Sequence, residues 1–335
     1  MDSLRTAVFF DLNSKIPNIK PSVVCIGNFD GYHLGHQGVL KDALFYQTLM
    51  PIVLSFDPHP KHYFSPQGNN CLFTKEQKIT AFSEVGVKAL ILQRFDKKFR
   101  HTSHEHFYHQ GLLQTLQAKT LIVGENFKFG LERKGDLPWL QKKSQTTNVA
   151  VHVATKIKYD NEVISSSRIR SALLTDGNAA LAQKLLGRPY MLQGKIQQGQ
   201  QLGRTLGFPT ANLEEVKQLT PKSGVYLGFA QVTTNSQAFQ LKMLSPPEKL
   251  RPCLINIGNR PTLATTPDKI TIEAHLLDSD IKSPTGLYGT NACYFLVDRL
   301  RDEIKFQTKE ELIAQIKKDK EKSLQYLEKI SLKNL

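Results

Sequence analysis

Up to residue 186 the chain alternates short apolar runs with helix-patterned stretches. Beyond Gly187-Arg188-Pro189 the helical stretches stop, and short strands follow one another until a last helix. One layered architecture cannot hold both patterns. The runs at 22–26, 52–56, 89–92 and 120–123 read as strands of a parallel sheet covered on both faces. Residues 37–49 have helical character, and Thr74-Lys75-Glu76-Gln77 has capping-box spacing for a helix ending near Gly86. The first half is therefore expected to be α/β. Residues 178–186 read as an amphipathic helix stopped by Gly187-Arg188-Pro189. Strands are then predicted at 190–196, 208–213, 224–233, 240–244, 251–257, 270–277 and 292–299. With no helices between them, they argue for an antiparallel barrel. An amphipathic helix over 309–327 is expected to turn Leu312, Ile316, Leu324 and Leu327 to that barrel. The reading is two domains, 1–186 and 187–335, as the length prior for 335 residues suggests.

Composition narrows the function classes. A 40% apolar and 22% charged chain is ordinary for a soluble protein, and no apolar run nears the ~18 residues of a membrane span. Met1-Asp2-Ser3-Leu4-Arg5 lacks the basic-then-apolar pattern of a secretory signal. Cys25, Cys71, Cys253 and Cys293 lie far apart with no CxxC pair, so reduced thiols in the cytoplasm are expected. The net charge of +14 suits either nucleic acid or polyphosphate ligands. However, the densest basic run, 317–322, is interleaved with acids and reads as a solvated helix face. No nucleic-acid-binding motif is visible, and no nucleic-acid partner is expected.

Chemistry in the first half gathers after the strands. The 22–26 run leads into Gly27-Asn28-Phe29-Asp30-Gly31-Tyr32-His33-Leu34-Gly35-His36, the strand, glycine turn and helix of a nucleotide site. His33 and His36 share one face of the helix's first turn and can meet an α-phosphate there; Gly35 leaves room for its approach. Two histidines on a turn also serve as a plain structural pair. The second strand ends in the stiff turn Asp57-Pro58-His59-Pro60. Gly124-Glu125-Asn126-Phe127-Lys128-Phe129-Gly130 could flap over a planar phosphorylated ligand or be a surface loop. In Ile164-Ser165-Ser166-Ser167-Arg168 the serines cap a helix start, where Arg168 could clamp the β- and γ-phosphates of ATP. His101, His104, His106 and His109 have no cysteine nearby and read as exposed helix residues rather than metal ligands.

In the second half, Gly203-Arg204-Thr205-Leu206-Gly207-Phe208-Pro209-Thr210-Ala211-Asn212-Leu213 joins glycines suited to phosphate approach with a rigid proline. Thr210 and Asn212 would share one face of a strand, and their oxygens suit Mg²⁺. Gly194-Lys195-Ile196-Gln197-Gln198-Gly199, with Gly203, reads as a second phosphate loop. Glu273 lies in the strand Ile272-Glu273-Ala274-His275, either as a general base or as a solvent-facing charge.

The 203–213 string resembles the signature of riboflavin kinases. The four N-terminal motifs resemble the nucleotidyltransferase superfamily in its FMN adenylyltransferase branch, to which the turn at 56–60 and the flap at 124–130 are particular. Nearly the whole chain is similar to the bifunctional riboflavin kinase/FMN adenylyltransferases, the bacterial FAD synthetases. That resemblance implies a Rossmann-like nucleotidyltransferase fold followed by a riboflavin kinase barrel. It implies phosphorylation of riboflavin to FMN from ATP with Mg²⁺, then adenylation of FMN to FAD from a second ATP, releasing pyrophosphate. It implies Gly27, Asn28, Phe29, Asp30, Gly35, Ser166 and Ser167 on the adenylylating ATP, and Pro58, His59, Pro60, Asn126 and Phe127 on FMN. In the kinase it implies Gly194, Lys195, Gly199, Gly203, Arg204, Phe208 and Pro209 on ATP, Thr210 and Asn212 on the metal, and Glu273 as base. His33, His36 and Arg168 would serve adenylyl transfer. The likeness departs at Gln198, where a histidine is expected, and at Gly286 in a lengthened loop before Leu287-Tyr288-Gly289. Class I aminoacyl-tRNA synthetases share an HxGH-like motif but would carry a KMSKS-type loop where ISSSRIR stands. Two other readings are one working site beside a relic, and a basic nucleic-acid binder.

Overall fold

In the computed structural model, the described residues are 6–12, 16–17, 19–64, 70–198, 208–232, 241–244, 250–260, 269–277 and 287–329. The chain divides into two compact units, Met1–Ser165 and Ser166–Leu335.

The first unit is built on six strands: β1 (Ala7–Phe9), β2 (Ser22–Ile26), β3 (Met50–Asp57), β4 (Ala89–Arg94), β5 (Ala118–Val123) and, after a short hairpin of β6 (Lys128–Phe129) and β7 (Gly135–Asp136), β8 (Ala150–Val153). Their order is β1-β4-β3-β2-β5-β8, and every neighbouring pair is parallel. All five residues of β2 are buried, as a strand covered on both faces requires. From β2 the chain first builds outward through β3 and β4, then returns to lay β5 on the other side. The carboxyl ends of β2 and β5 therefore flank a topological switch point, where open parallel sheets open a crevice.

Helix Leu34–Leu44 starts three residues earlier than predicted because His33 caps it, its ring nitrogen accepting from the amide of His36. Helix Lys75–Val85 has the expected capping box, with Gly86 left-handed at its end. The half-exposed edge strands β1 and β8 escaped the sequence reading, since short edges lack the sustained apolar run of β2. A second hairpin, β9 (Lys158–Tyr159) and β10 (Glu162–Val163), completes the unit.

The second unit is a closed antiparallel barrel of β11 (Tyr190–Gln197), β12 (Thr210–Glu214), β13 (Gly224–Val232), β14 (Arg251–Arg260), β15 (Lys269–Leu276) and β16 (Asn291–Arg301). Their order around it is β11-β12-β15-β14-β13-β16. The strand predicted at 240–244 is absent from its described residues, 241–244. β11 and β12 approach closely: a Cβ at Gly194 would lie 2.2 Å from the Glu214 carbonyl oxygen. Helix Ala179–Leu186 buries Ala179, Ala182, Leu185 and Leu186 beside β16 and β11, and the Lys222 amide donates to the Leu173 carbonyl (2.9 Å). Segment 166–186 thus groups with the barrel, so the compact division falls earlier than the change of sequence pattern. Helix Lys309–Lys329 covers the barrel through Asp319 and Ser323, both buried. Leu324, expected to face inward, is 41% exposed. The inward face is set instead by Asp319, whose carboxylate takes two hydrogen bonds from Arg301.

Candidate active sites

Three of the motifs in the first unit follow directly on the carboxyl ends of adjacent strands: 27–36 after β2, 57–60 at the end of β3, and 124–130 after β5. In the first, Phe29 (φ 48°), Gly31 (φ 80°) and Tyr32 (φ 40°) are left-handed. For the two aromatics this costs about 1–3 kcal/mol each. Fully buried Phe82 meets both rings edge-on, at 5.6 and 5.4 Å, and holds the turn. The rings of His33 and His36 stack at 3.6 Å, with Phe29 edge-on to His36. His33 Nδ1 accepts from the His36 amide (3.3 Å), so a neutral His33 carries its proton on Nε2. A Cβ at Gly35 would come within 3.1 Å of the His33 ring, so a larger residue would push the imidazole aside.

Asp30, expected on ATP, is 2% exposed, and its carboxylate accepts from the amides of Leu72 and Phe73. It anchors the entry to helix Lys75–Val85. At the end of β3, His59 Nδ1 accepts from the Lys61 amide (3.1 Å). A small cleft is lined by Asp30, Phe56, Asp57, His59, Phe73 and Lys78, among others. Sequence reasoning missed Lys78. Its ammonium is buried and donates to the carbonyls of Asn28 (2.9 Å) and Phe56 (3.4 Å) and to Ser55 Oγ (3.1 Å). Burial pushes its pKa down, against the charges of Asp30 and Asp57. The signal available in sequence was a lone lysine on the buried face of a helix.

In the flap, Phe127 lies stacked on Phe129 at 5.1 Å while Asn126 is exposed. Ser166 opens the six-residue helix Ser166–Ser171, with Ser167 and Arg168 in its first turn; that helix belongs to the second unit. The four clustered histidines make separate contacts: His109 pairs with Glu105, His104 meets Trp139 edge-on, His101 contacts the Lys97 carbonyl, and Ser103 caps the turn holding His106. Among the described residues no group of three or more His, Cys, Asp or Glu could hold a metal ion.

On the barrel, register assembles the second site. Asn212 pairs with Glu273, and Thr210 with His275, across β12 and β15. Asn256 of β14 pairs with Glu273 from the other side. Ala211 and Ala274 are buried, and Tyr294 donates to the Ala211 carbonyl (2.9 Å). The alternating residues Thr210, Asn212, Glu273 and His275 therefore share the opposite face. The Thr210 hydroxyl donates to Glu273 Oε2 (3.3 Å), which leaves its lone pairs able to accept a cation. His275 Nδ1 lies 3.1 Å from the Pro209 carbonyl, with Phe208 edge-on; burial pushes its pKa down.

The expected phosphate loop at 194–199 is strand as far as Gln197, because Gly194 is where β11 and β12 touch. Lys195 pairs there with Glu215 (3.1 Å). Gly199, Gly203, Arg204 and Gly286 lie outside the described residues.

An FAD synthetase family model matches residues 15–168, and a riboflavin kinase family model matches residues 186–327. A bifunctional riboflavin kinase/FMN adenylyltransferase of Escherichia coli (strain K12) is 34% identical over 301 residues, 89% of this chain and 90% of the relative. One from Haemophilus influenzae is 35% identical over 305 residues, covering 88% and 91%. The crystal structure of a macrolide-efflux protein from Streptococcus pneumoniae superposes with a TM-score of 0.79 at 25% identity, over 94% of this chain and 97% of that one.

Proposed function

Because this chain belongs to the bifunctional riboflavin kinase/FMN adenylyltransferase family, we infer that its two steps divide by sequence, with AMP transfer in 1–186 and riboflavin phosphorylation in 187–335. The enzyme phosphorylates riboflavin to FMN with one ATP and adenylates FMN to FAD with a second, releasing pyrophosphate.

In the kinase step, Glu273 takes the proton of the riboflavin 5′-hydroxyl as that oxygen attacks the γ-phosphorus and ADP leaves. Thr210 and Asn212 supply neutral oxygens beside that carboxylate, a donor set that fits Mg²⁺. Bound there, the ion would neutralise charge on the phosphate oxygens. Phe208 and Pro209 would line the nucleotide's approach, with Gly194, Lys195, Gly199, Gly203 and Arg204 as further nucleotide contacts. In the adenylyl step, an FMN phosphate oxygen attacks the α-phosphorus and the bond to the bridging α–β oxygen breaks. Gly27, Asn28, Phe29, Asp30 and Gly35 shape the nucleotide turn, and His33 and His36 stabilise the transferring phosphate. Arg168, with Ser166 and Ser167, receives the charge of the leaving pyrophosphate. Pro58, His59, Pro60, Asn126 and Phe127 hold FMN. The partners are free flavins and ATP rather than nucleic acid, and the setting is cytoplasmic. Among the described residues no helix is long and apolar enough to cross a membrane.

The observation that most supports this division is the register pairing Asn212 with Glu273, in a different compact unit from the stacked histidines. His36→Ala should abolish FAD formation from FMN and spare FMN formation from riboflavin. Asn212→Ala should do the reverse. Equal loss of both steps in either variant refutes the two-site assignment.

A further inference from the structure

Lys78 occupies an unusual position for a lysine. The residue is 6% exposed, and the three donors of its ammonium meet Asn28 O, Ser55 Oγ and Phe56 O. These acceptors belong to two turns. Asn28 lies in the nucleotide turn after β2, and Phe56 immediately precedes the flavin turn at 57–60. Ser55 closes the triangle, its hydroxyl donating to the Asn28 carbonyl (3.0 Å). The helix that carries Lys78 is tied to the same nucleotide turn a second time, through Asp30 and the amides of Leu72 and Phe73.

Burying a cation costs several kcal/mol, and the hydrogen bonds here go to two carbonyls and a hydroxyl rather than to a carboxylate. A core of this kind, with Ala81 and Phe82 as buried helix neighbours, could be filled by methionine without that cost. A hydrogen-bonding head at this buried position therefore needs a reason beyond packing. We propose that Lys78 is a positioning residue for adenylyl transfer, its ammonium setting the spacing between the nucleotide turn and the flavin turn, and so between the α-phosphorus of ATP and the phosphate of FMN. This rests on the assignment of those turns to ATP and FMN made above.

The test compares Lys78→Met, Lys78→Gln and His36→Ala with the parent enzyme. FAD formation from FMN and ATP is followed chromatographically, with FMN formation from riboflavin as the control on the same chain. Trp139, the only tryptophan, packs on Tyr108 and Phe129 in the first unit, so melting followed by its emission reports on that unit. Lys78→Met should melt as a folded unit and lose about 100-fold in kcat for FAD, the scale of an ångström's misplacement. Binding of ATP alone or FMN alone should change little. Lys78→Gln, which keeps two N–H donors, should recover part of the rate.

A folded Lys78→Met with parental kcat overturns the proposal. So does loss confined to KM, or a glutamine variant no better than methionine, which would make the charge itself the active feature. Should Lys78→Met fail to fold, Ser55→Ala removes one corner of the triangle and keeps the cation, and an unchanged kcat there is equally fatal. If His36→Ala also makes FAD normally, the assignment of the turns falls and the Lys78 inference with it. A dead His36→Ala beside an active Lys78→Met removes the Lys78 inference alone.

Discussion

Glu273→Gln is the substitution that isolates the proposed base of the kinase step. The change replaces one carboxylate oxygen by an amide of nearly the same shape. The Thr210 hydroxyl, 3.3 Å from Glu273 Oε2, can still donate to the remaining oxygen. The side chain is half-buried beside Asn212 and Asn256, so little desolvation changes hands, and stability should move by no more than about 0.5 kcal/mol. What disappears is the ability to take the 5′-hydroxyl proton. General base catalysis contributes about 10²–10⁴ in rate, or roughly 3–5 kcal/mol of barrier at 1.36 kcal/mol per decade. The assay measures initial FMN formation from saturating riboflavin and ATP, with FAD formation from added FMN as control. The expected result is a fall of that size in kcat with an unchanged KM for riboflavin, an unchanged melting temperature and a normal adenylyl step. A fall of less than about tenfold would refute the base assignment. A raised KM with intact kcat would recast Glu273 as a binding residue.

Two further outcomes concern the barrel. Asp319→Ala removes a carboxylate that is 6% exposed, with Arg301 on one oxygen (2.9 and 2.8 Å) and Gln315 on the other (2.8 Å). Breaking such a pair should cost about 3 kcal/mol, at the low end for a buried pair because Arg301 remains 18% exposed. Calorimetry should then show the barrel transition lowered by about 6–12 °C, at roughly 2–4 °C per kcal/mol, with the Trp139-reported transition unmoved; a loss below about 1 kcal/mol contradicts the role given to this pair. For His275, burial holds the folded pKa below the ordinary 6.5. The unfolded chain therefore binds a proton first as pH falls, and stability declines with acidification from about 6.5 down to the folded value. Barrel melting at pH 7.5 and 5.5 should differ more in the parent than in His275→Asn, and an equal difference would count against the histidine as the source.

Much of the candidate site's local structure was legible because local chemistry marks it. Glycines and prolines punctuate the chain where strands end, and the capping box at Thr74 and Gln77 announces its own helix. The turns at 27–36, 57–60 and 124–130 could be read as site elements since each directly follows an apolar run. The misreadings of shape were also local. The 194–199 segment reads as a loop, but it is strand as far as Gln197, with Gly194 at the close approach of β12. Leu324 suited an apolar stripe, yet the helix turns Asp319 and Ser323 inward because Arg301 lies beneath them.

By itself, then, the sequence determined the two architectures, the strand-end turns and the alternation that puts Thr210 and Asn212 on one face, because these depend on neighbours a few residues away. Tertiary structure alone decided that β2 lies between β3 and β5, that Thr210 meets Glu273 across a separation of 63 residues, and that Lys78 joins Asn28 to Phe56. Strand order and register arise from pairing distant segments, and a buried ammonium finds its acceptors only after the chain has closed around it.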